Sequence, residues 1–325
     1  MFVLLGVALL SAARPAAPTG TAAQEPVHWE VVDAIMQEAF EHSDLMENAS
    51  WLTDVFGPRN AKSPSYTAAA EWARDRLIEY GLPSARLEPY EFGSGYVNEY
   101  ISVHMMTPQY MPIIAYPATW SAGTEGRVLG NAVYLDFGSI ETETDLEPYR
   151  GQLRDAVVLT HPAQELPTQF APRSTILTDA QLDEMARLPI LPASERRNRR
   201  RGPDRLSRRQ IIDFVVDEGA LAIVRTDGNS DYGTVNVSNT GYTLETRPWE
   251  PDAPAPHTEL FMAAEHYNRI LRILEKGLPV GLELDIRVRF TDEDTLDHNV
   301  IAEIPAPIWP MSWCYSAATS KPIQR

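Results

Sequence analysis

Leu282, Leu284, Ile286, Val288 and Phe290 are apolar at every second position, and Val300, Ala302 and Ile304 repeat the pattern shortly after. This period gives a strand one apolar face, and a strand cannot satisfy its own backbone, so each run must find partners elsewhere in the chain. Segments far upstream therefore have to supply the sheet. The residues after Pro305, 306–325, carry neither a helical nor a strand period and read as an aberrant tail.

Upstream, several short runs are candidates for that sheet. Arg86 to Phe92 alternates like a strand. Arg127-Val128-Leu129, Ala132-Val133-Tyr134-Leu135, Ala156-Val157-Val158-Leu159 and Ala220-Leu221-Ala222-Ile223-Val224 are β-like runs bounded by Gly, Asp or Pro. Helices are expected among them. Residues 30–56 show an imperfect helical period at Val31, Ala34, Ile35, Ala39, Leu45 and Leu52, broken around His42-Ser43-Asp44. Ser63 followed by Pro64 marks the start of a better helix, with Ala69, Trp72, Ala73, Leu77 and Tyr80 on one face and Gly81 at its end. Ile211, Ile212, Phe214 and Val215 mark a short buried helix, and Tyr267, Ile270, Leu271 and Leu274 another that ends at Gly277.

The charge balance excludes one class of partner. Acidic residues outnumber basic ones 45 to 28, a net charge of -17, which opposes sequence-independent binding to nucleic acid. Residues 194–209 run against this with eight arginines, read as a solvated loop in preference to an anion-binding patch because no aromatic residues interleave them. Residues 2–13 are apolar but too few to span a bilayer, and Thr21-Ala22-Ala23 offers a cleavage site before Gln24. That pattern outlines a signal peptide over 1–23, hence a secreted or periplasmic protein, although no Lys or Arg precedes the run. No other segment is apolar enough to span a membrane.

Motifs that carry chemistry are scarce. Asp136-Phe137-Gly138 lacks every other element of a kinase and reads as a strand end and turn. Asp227, Asn229 and Asp231 alternate as in a calcium loop, but Tyr232 and Ser238 stand where a glycine and a bidentate glutamate are required. The seven histidines, His28, His42, His104, His161, His257, His266 and His298, are scattered, with no pair at helical spacing. Cys314, the single cysteine, has no recognisable partner. The sequence therefore nominates no catalytic, cofactor-binding or metal-binding residue.

Trp51-Leu52-Thr53-Asp54-Val55-Phe56-Gly57-Pro58-Arg59, Ser63-Pro64-Ser65-Tyr66, Ala70-Glu71-Trp72, Tyr80-Gly81-Leu82 and Leu87-Glu88-Pro89 resemble the N-terminal region of secreted di-zinc exopeptidases of the carboxypeptidase Q and aminopeptidase type. That family closes the region with a strand similar to 297–305, and its inserted protease-associated domain resembles the β-rich middle, with Gly219-Ala220-Leu221-Ala222 at a characteristic strand. The resemblance implies an α+β fold. It divides the chain into a signal peptide (1–23), an N-terminal peptidase segment (24–110), a protease-associated-like insert (111–280), return strands (281–305) and a tail (306–325), with the chain ending at the first strand of a truncated α/β zinc-peptidase domain. Family members continue into a domain where two zinc ions and a glutamate base hydrolyse peptides. No position of this chain matches those ligands. A one-base shift in reading the codons of 306–325 permits a string resembling that continuation, so a frameshift near Pro305 is one account of the tail. The expectation is a truncated and inactive metallo-exopeptidase, without metal in this chain. Alternatives are a non-catalytic protease-associated-type module that binds peptide or protein, which requires 297–305 to join a sheet, and a catalytic half supplied by another chain.

Overall fold

The computed structural model describes residues 27–168, 170, 175–188, 206–227, 232–240, 246–291, 295–305 and 313–317, with the side chains of 305 and 313–317 excepted. The expected signal peptide, most of the arginine run and most of the tail lie outside these residues. The architecture is α+β, as the resemblance implies, and it divides into a first unit ending at Leu52 and a second beginning at Thr53.

In the first unit, α1 (Trp29–Glu41) and α2 (Leu45–Ser50) are separated at His42, Ser43 and Asp44, where the sequence places the break. The apolar positions of this period are not buried, since no residue of α1 or α2 is, and Trp29, Ile35 and Phe40 are exposed. A helical period shows which face is apolar but supplies nothing for that face to pack against.

The second unit opens on α3 (Pro64–Glu79). The Ser63 side chain accepts a hydrogen bond from the Tyr66 N–H at 3.2 Å, and Pro64, which has no N–H to leave unpaired, takes the first turn. Ala69 and Ala70 are buried, whereas Tyr80, expected on the inner face, is exposed. Beside α3 lies a small antiparallel sheet ordered β1 (Arg86–Glu91), β10 (Leu296–Pro305), β11 (Trp313–Ala317). One expectation is corrected here. The tail, expected to lack strand structure, supplies β11, so the return strand is paired on both sides. The ladder is built from backbone groups, which the side-chain period does not report.

One carboxylate fastens this region. Asp297, 1% exposed, accepts hydrogen bonds from the Lys62 N–H at 3.0 Å, the Tyr90 hydroxyl at 3.1 Å and the His298 N–H at 2.8 Å. Burial pushes its carboxyl above the ordinary range against the opposing pull of those bonds. The Tyr66 hydroxyl donates to the His298 carbonyl at 2.7 Å, which ties α3 to the same strand.

Between β1 and β10 the chain builds an eight-stranded mixed sheet from β2 (Gly95–Thr107), β3 (Met111–Pro112), β4 (Ala115–Pro117), β5 (Arg127–Tyr134), β6 (Ala156–Leu159), β7 (Ala222–Arg225), β8 (Glu259–Met262) and β9 (Gly281–Thr291). Its order is β3-β2-β9-β5-β6-β7-β8-β4, with β5 to β8 parallel and the other pairings antiparallel. The sheet thus takes in β2 and β9, which flank the expected 111–280 segment. Alternate residues of its strands face opposite cores. Val157, Leu159, Ala222 and Val224 pack with Tyr267, Ile270 and Leu271 of α6 (Ala264–Leu274). Ala156, Val158 and Ile223 pack with Ile211, Ile212 and Val215 of α5 (Arg208–Asp217). A further helix, α4 (Asp179–Arg187), starts on a Thr178–Gln181 capping box and buries nothing. No helix among the described residues is long and apolar enough to cross a membrane.

The chain crosses between the sheets at Gly93 and Ser94. Phe92 stacks on Trp249 with ring centres 5.4 Å apart, Trp120 lies 5.1 Å from Trp249, and the Ser94 N–H donates to the Trp249 carbonyl at 2.9 Å. Gly93 has φ of +128°, and a Cβ there would lie 2.0 Å from the Trp249 carbonyl oxygen.

Gly93→Ala is expected to cost about 3 kcal/mol in urea unfolding, from strain plus overpacking, against about 1 kcal/mol for Gly126→Ala, where strain acts alone. Asp297→Ala leaves three donors without an acceptor and is expected to cost about 3 kcal/mol. Because its folded pKa is raised, Asp297 contributes stability below its unfolded pKa and loses it as pH rises through the folded value. Asp297→Asn should remove that downward slope from a series of melts across pH.

Candidate functional site

The parallel strands bring their connecting segments together on the α5 side of the sheet. Pro248, Pro254 and Pro256 keep the chain leading into β8 from adding to a ladder, since proline donates no N–H. That segment stands off from α5 and leaves a cleft of about 600 Å³ lined by Trp120, Ile212, Val216, Leu221 and these prolines. Its polar groups are Asp213 and Asp217 of α5, Arg209, Thr240, His257 and Thr258. Arg209 Nε bonds both Asp213 oxygens at 2.9 Å, so that charge pair is closed on itself.

A buried carboxylate fixes the cleft walls. Glu259, 2% exposed, pairs with Arg225 of β7 at 2.5 Å, accepts from the Thr240 hydroxyl at 2.8 Å and lies 3.6 Å from His257 Nε2. Arg225 in turn covers the Phe261 ring at 4.4 Å. Burial pushes the Glu259 carboxyl up, but His257, the Arg225 charge and Thr240 together hold it below the ordinary range, so it is ionised. It positions Thr240 and His257 at the cleft rather than facing a ligand itself. The arrangement can bind and orient an extended, partly apolar ligand.

None of the seven histidines forms a ligand set among the described residues, where no group of three or more His, Cys, Asp or Glu side chains could hold a metal ion. A zinc pair therefore has no donor set among the described residues. His161 follows β6, His257 precedes β8, His266 is on α6 and His298 on β10. His266 Nδ1 accepts the Ile114 N–H at 2.9 Å. Asp136 is the turn expected, its Oδ1 accepting the Gly138 N–H at 2.8 Å. Of the calcium-like triplet, Asn229 and Asp231 lie outside the described residues, and Cys314 has no described side chain. Sequence reasoning overlooked Ser102 and His104, two apart on β2, with Oγ to Nε2 at 2.8 Å and the Tyr110 hydroxyl on Nδ1 at 3.0 Å. The third partner is a phenol, and Asp285, opposite Ser102 on β9, is taken by Arg287 at 3.0 Å. The cleft was also missed, because it is assembled from segments whose only shared signal is proline content.

No family model matches the chain, and no curated protein matches it. Among solved structures, the chain is similar to a peptidase M28 precursor from Shewanella amazonensis, with 19% identity, a TM-score of 0.51, and coverage of 84% of this chain and 53% of that one. The likeness is one of fold alone, shared with that peptidase M28 precursor over the matched residues. Lesser similarity extends to an aminopeptidase from Aneurinibacillus sp. strain AM-1 (17% identity, TM-score 0.39, 81% of this chain and 48% of that one). A zinc aminopeptidase from Bacillus subtilis gives 11% identity and a TM-score of 0.43 over 81% of this chain and 47% of that one. The chain thus spans about half the length of the solved structures it matches.

Glu259→Ala would leave the Arg225 guanidinium buried without its anion, and a loss of about 3 to 5 kcal/mol is expected in chemical denaturation. Because the folded pKa of Glu259 is depressed, its contribution is present above pH 4.5 and is lost as pH falls through the folded value. The variant should therefore show a flatter acid limb than the wild type.

Proposed function

We propose that this chain is the substrate-covering part of an exported di-zinc exopeptidase of the carboxypeptidase Q and aminopeptidase kind. In this reading its middle is a protease-associated-type insert. The likeness in fold to the peptidase M28 precursor over 84% of this chain is the observation that carries the reading. The two zinc ions, the general base and the hydrolysis of peptides belong to the part of such a protein that this chain does not span. The cleft beside α5 then receives extended peptide and holds it without cutting it.

A second reading, a non-catalytic peptide- or protein-binding module, draws support from β10, which has a partner strand on each side. Both readings expect the purified chain to bind less than one equivalent of zinc and to leave aminoacyl p-nitroanilides and dipeptides intact with zinc added. Metal analysis beside a chromogenic assay checks this, and zinc-dependent turnover abolished by a chelator would sink both. A monomeric, cooperatively melting preparation selects the module, and aggregation selects the part-protein.

A further inference from the structure

Arg208, a half-buried charge outside the lining of the cleft, carries one donor that the cleft does not explain. Strands β6 and β7 run on into Thr160 and His161 and into Thr226 and Asp227, and α5, packed antiparallel to β7, begins at the same edge with Arg208. The Arg208 guanidinium lies over the Phe137 ring at 5.4 Å, and its Nη2 is buried without a hydrogen-bond acceptor. A buried donor on a cation is costly to leave unpaired.

The surrounding groups do not supply the acceptor. Glu259, a buried anion whose charge reaches Arg208, is already shared by Arg225, Thr240 and His257. Asp136 spends one oxygen on the Gly138 N–H, and Asp227 accepts from Asn236 Nδ2 at 3.4 Å. His161 is bonded to the Thr160 hydroxyl through Nδ1 at 2.7 Å, and its backbone is held by Tyr267. Thr226, 6% exposed, has a hydroxyl that is likewise buried without a partner. The carboxyl ends of parallel strands are where open α/β sheets hold ligands, and the first turn of a helix favours an anion.

We propose that Arg208 anchors an anion-binding site at the carboxyl edge of β6 and β7, which takes one oxyanion group, a carboxylate or a phosphate. The bound group supplies the acceptor that the buried edge of the guanidinium lacks. Phe137 holds the guanidinium plane, and the fork binds two oxygens in a way a lysine cannot reproduce. The site needs no metal.

Two features support the electrostatics. Burial and the neighbouring Arg225 charge lower the Arg208 pKa, with Glu259 opposing them. Burial, Arg208 and Arg225 together depress the His161 imidazole from 6.5 to about 4, so an anion arriving here meets a field that is net positive at His161.

The full chain is titrated with inorganic phosphate and, separately, with acetate, at constant ionic strength, while its melting temperature is followed. A saturable rise is expected in the wild type and in the exposed-arginine control Arg127→Gln, with apparent affinity at least tenfold weaker in Arg208→Gln. Response to phosphate alone, or to acetate alone, identifies the source of the oxyanion. No rise with either anion, or an equal rise in Arg208→Gln, overturns the site. If Arg208→Gln does not fold, the wild type still decides: saturating phosphate or acetate should move the His161 imidazole titration upward by NMR, and a titration unmoved by both excludes the site.

Discussion

The second unit depends on a carboxylate that water does not reach. Asp297 accepts from Lys62, Tyr90 and His298, groups that lie on the approach to α3, on β1 and on β10 itself. More than two hundred residues separate the first two from it along the chain. By gathering their donors it sets where the chain leaves for the large sheet and where it returns. An apolar residue there would leave three donors unanswered in a dry site, which is why an acid is tolerated despite its desolvation. The Gly93 crossing, packed beneath Trp249, then holds the two sheets together.

The large sheet obeys a different constraint. Its central parallel strands are covered on both faces, so Val, Ile, Leu and Ala alternate between two cores without any polar side. Charge enters only where those strands end or begin. Arg225 and Glu259 form an ion pair beside the cleft, whereas Arg208, at the first turn of α5 near that pair, has a buried edge without an acceptor. A low-dielectric setting strengthens the first arrangement and makes the second expensive. The difference separates a pair that shapes the cleft from a cation that awaits a ligand.

Much of the fold was legible because local signals agreed with tertiary demand. Ser63 and Pro64 opened α3, the break at His42 to Asp44 divided the first helices, and the alternation from Leu282 to Phe290 marked β9. β2 escaped notice because Asn98, Glu99, Ser102 and His104 dilute its apolar face, and α4 because its capping box precedes a helix that buries nothing. The apolar stripe of α1 was legible as a period but is not a buried face. β11 carries no period to read.

The sequence by itself determined the absence of a spaced metal or nucleophile motif, the helix and strand periods and the acidic balance, because these depend on residues near one another in the chain. Only the tertiary structure decided that Asp297 would be buried, that Glu259 would bind Arg225, Thr240 and His257, and that Arg208 would lose its acceptors. Burial and hydrogen bonding across long sequence separations set the state of a charged side chain, and no window of local sequence contains that information.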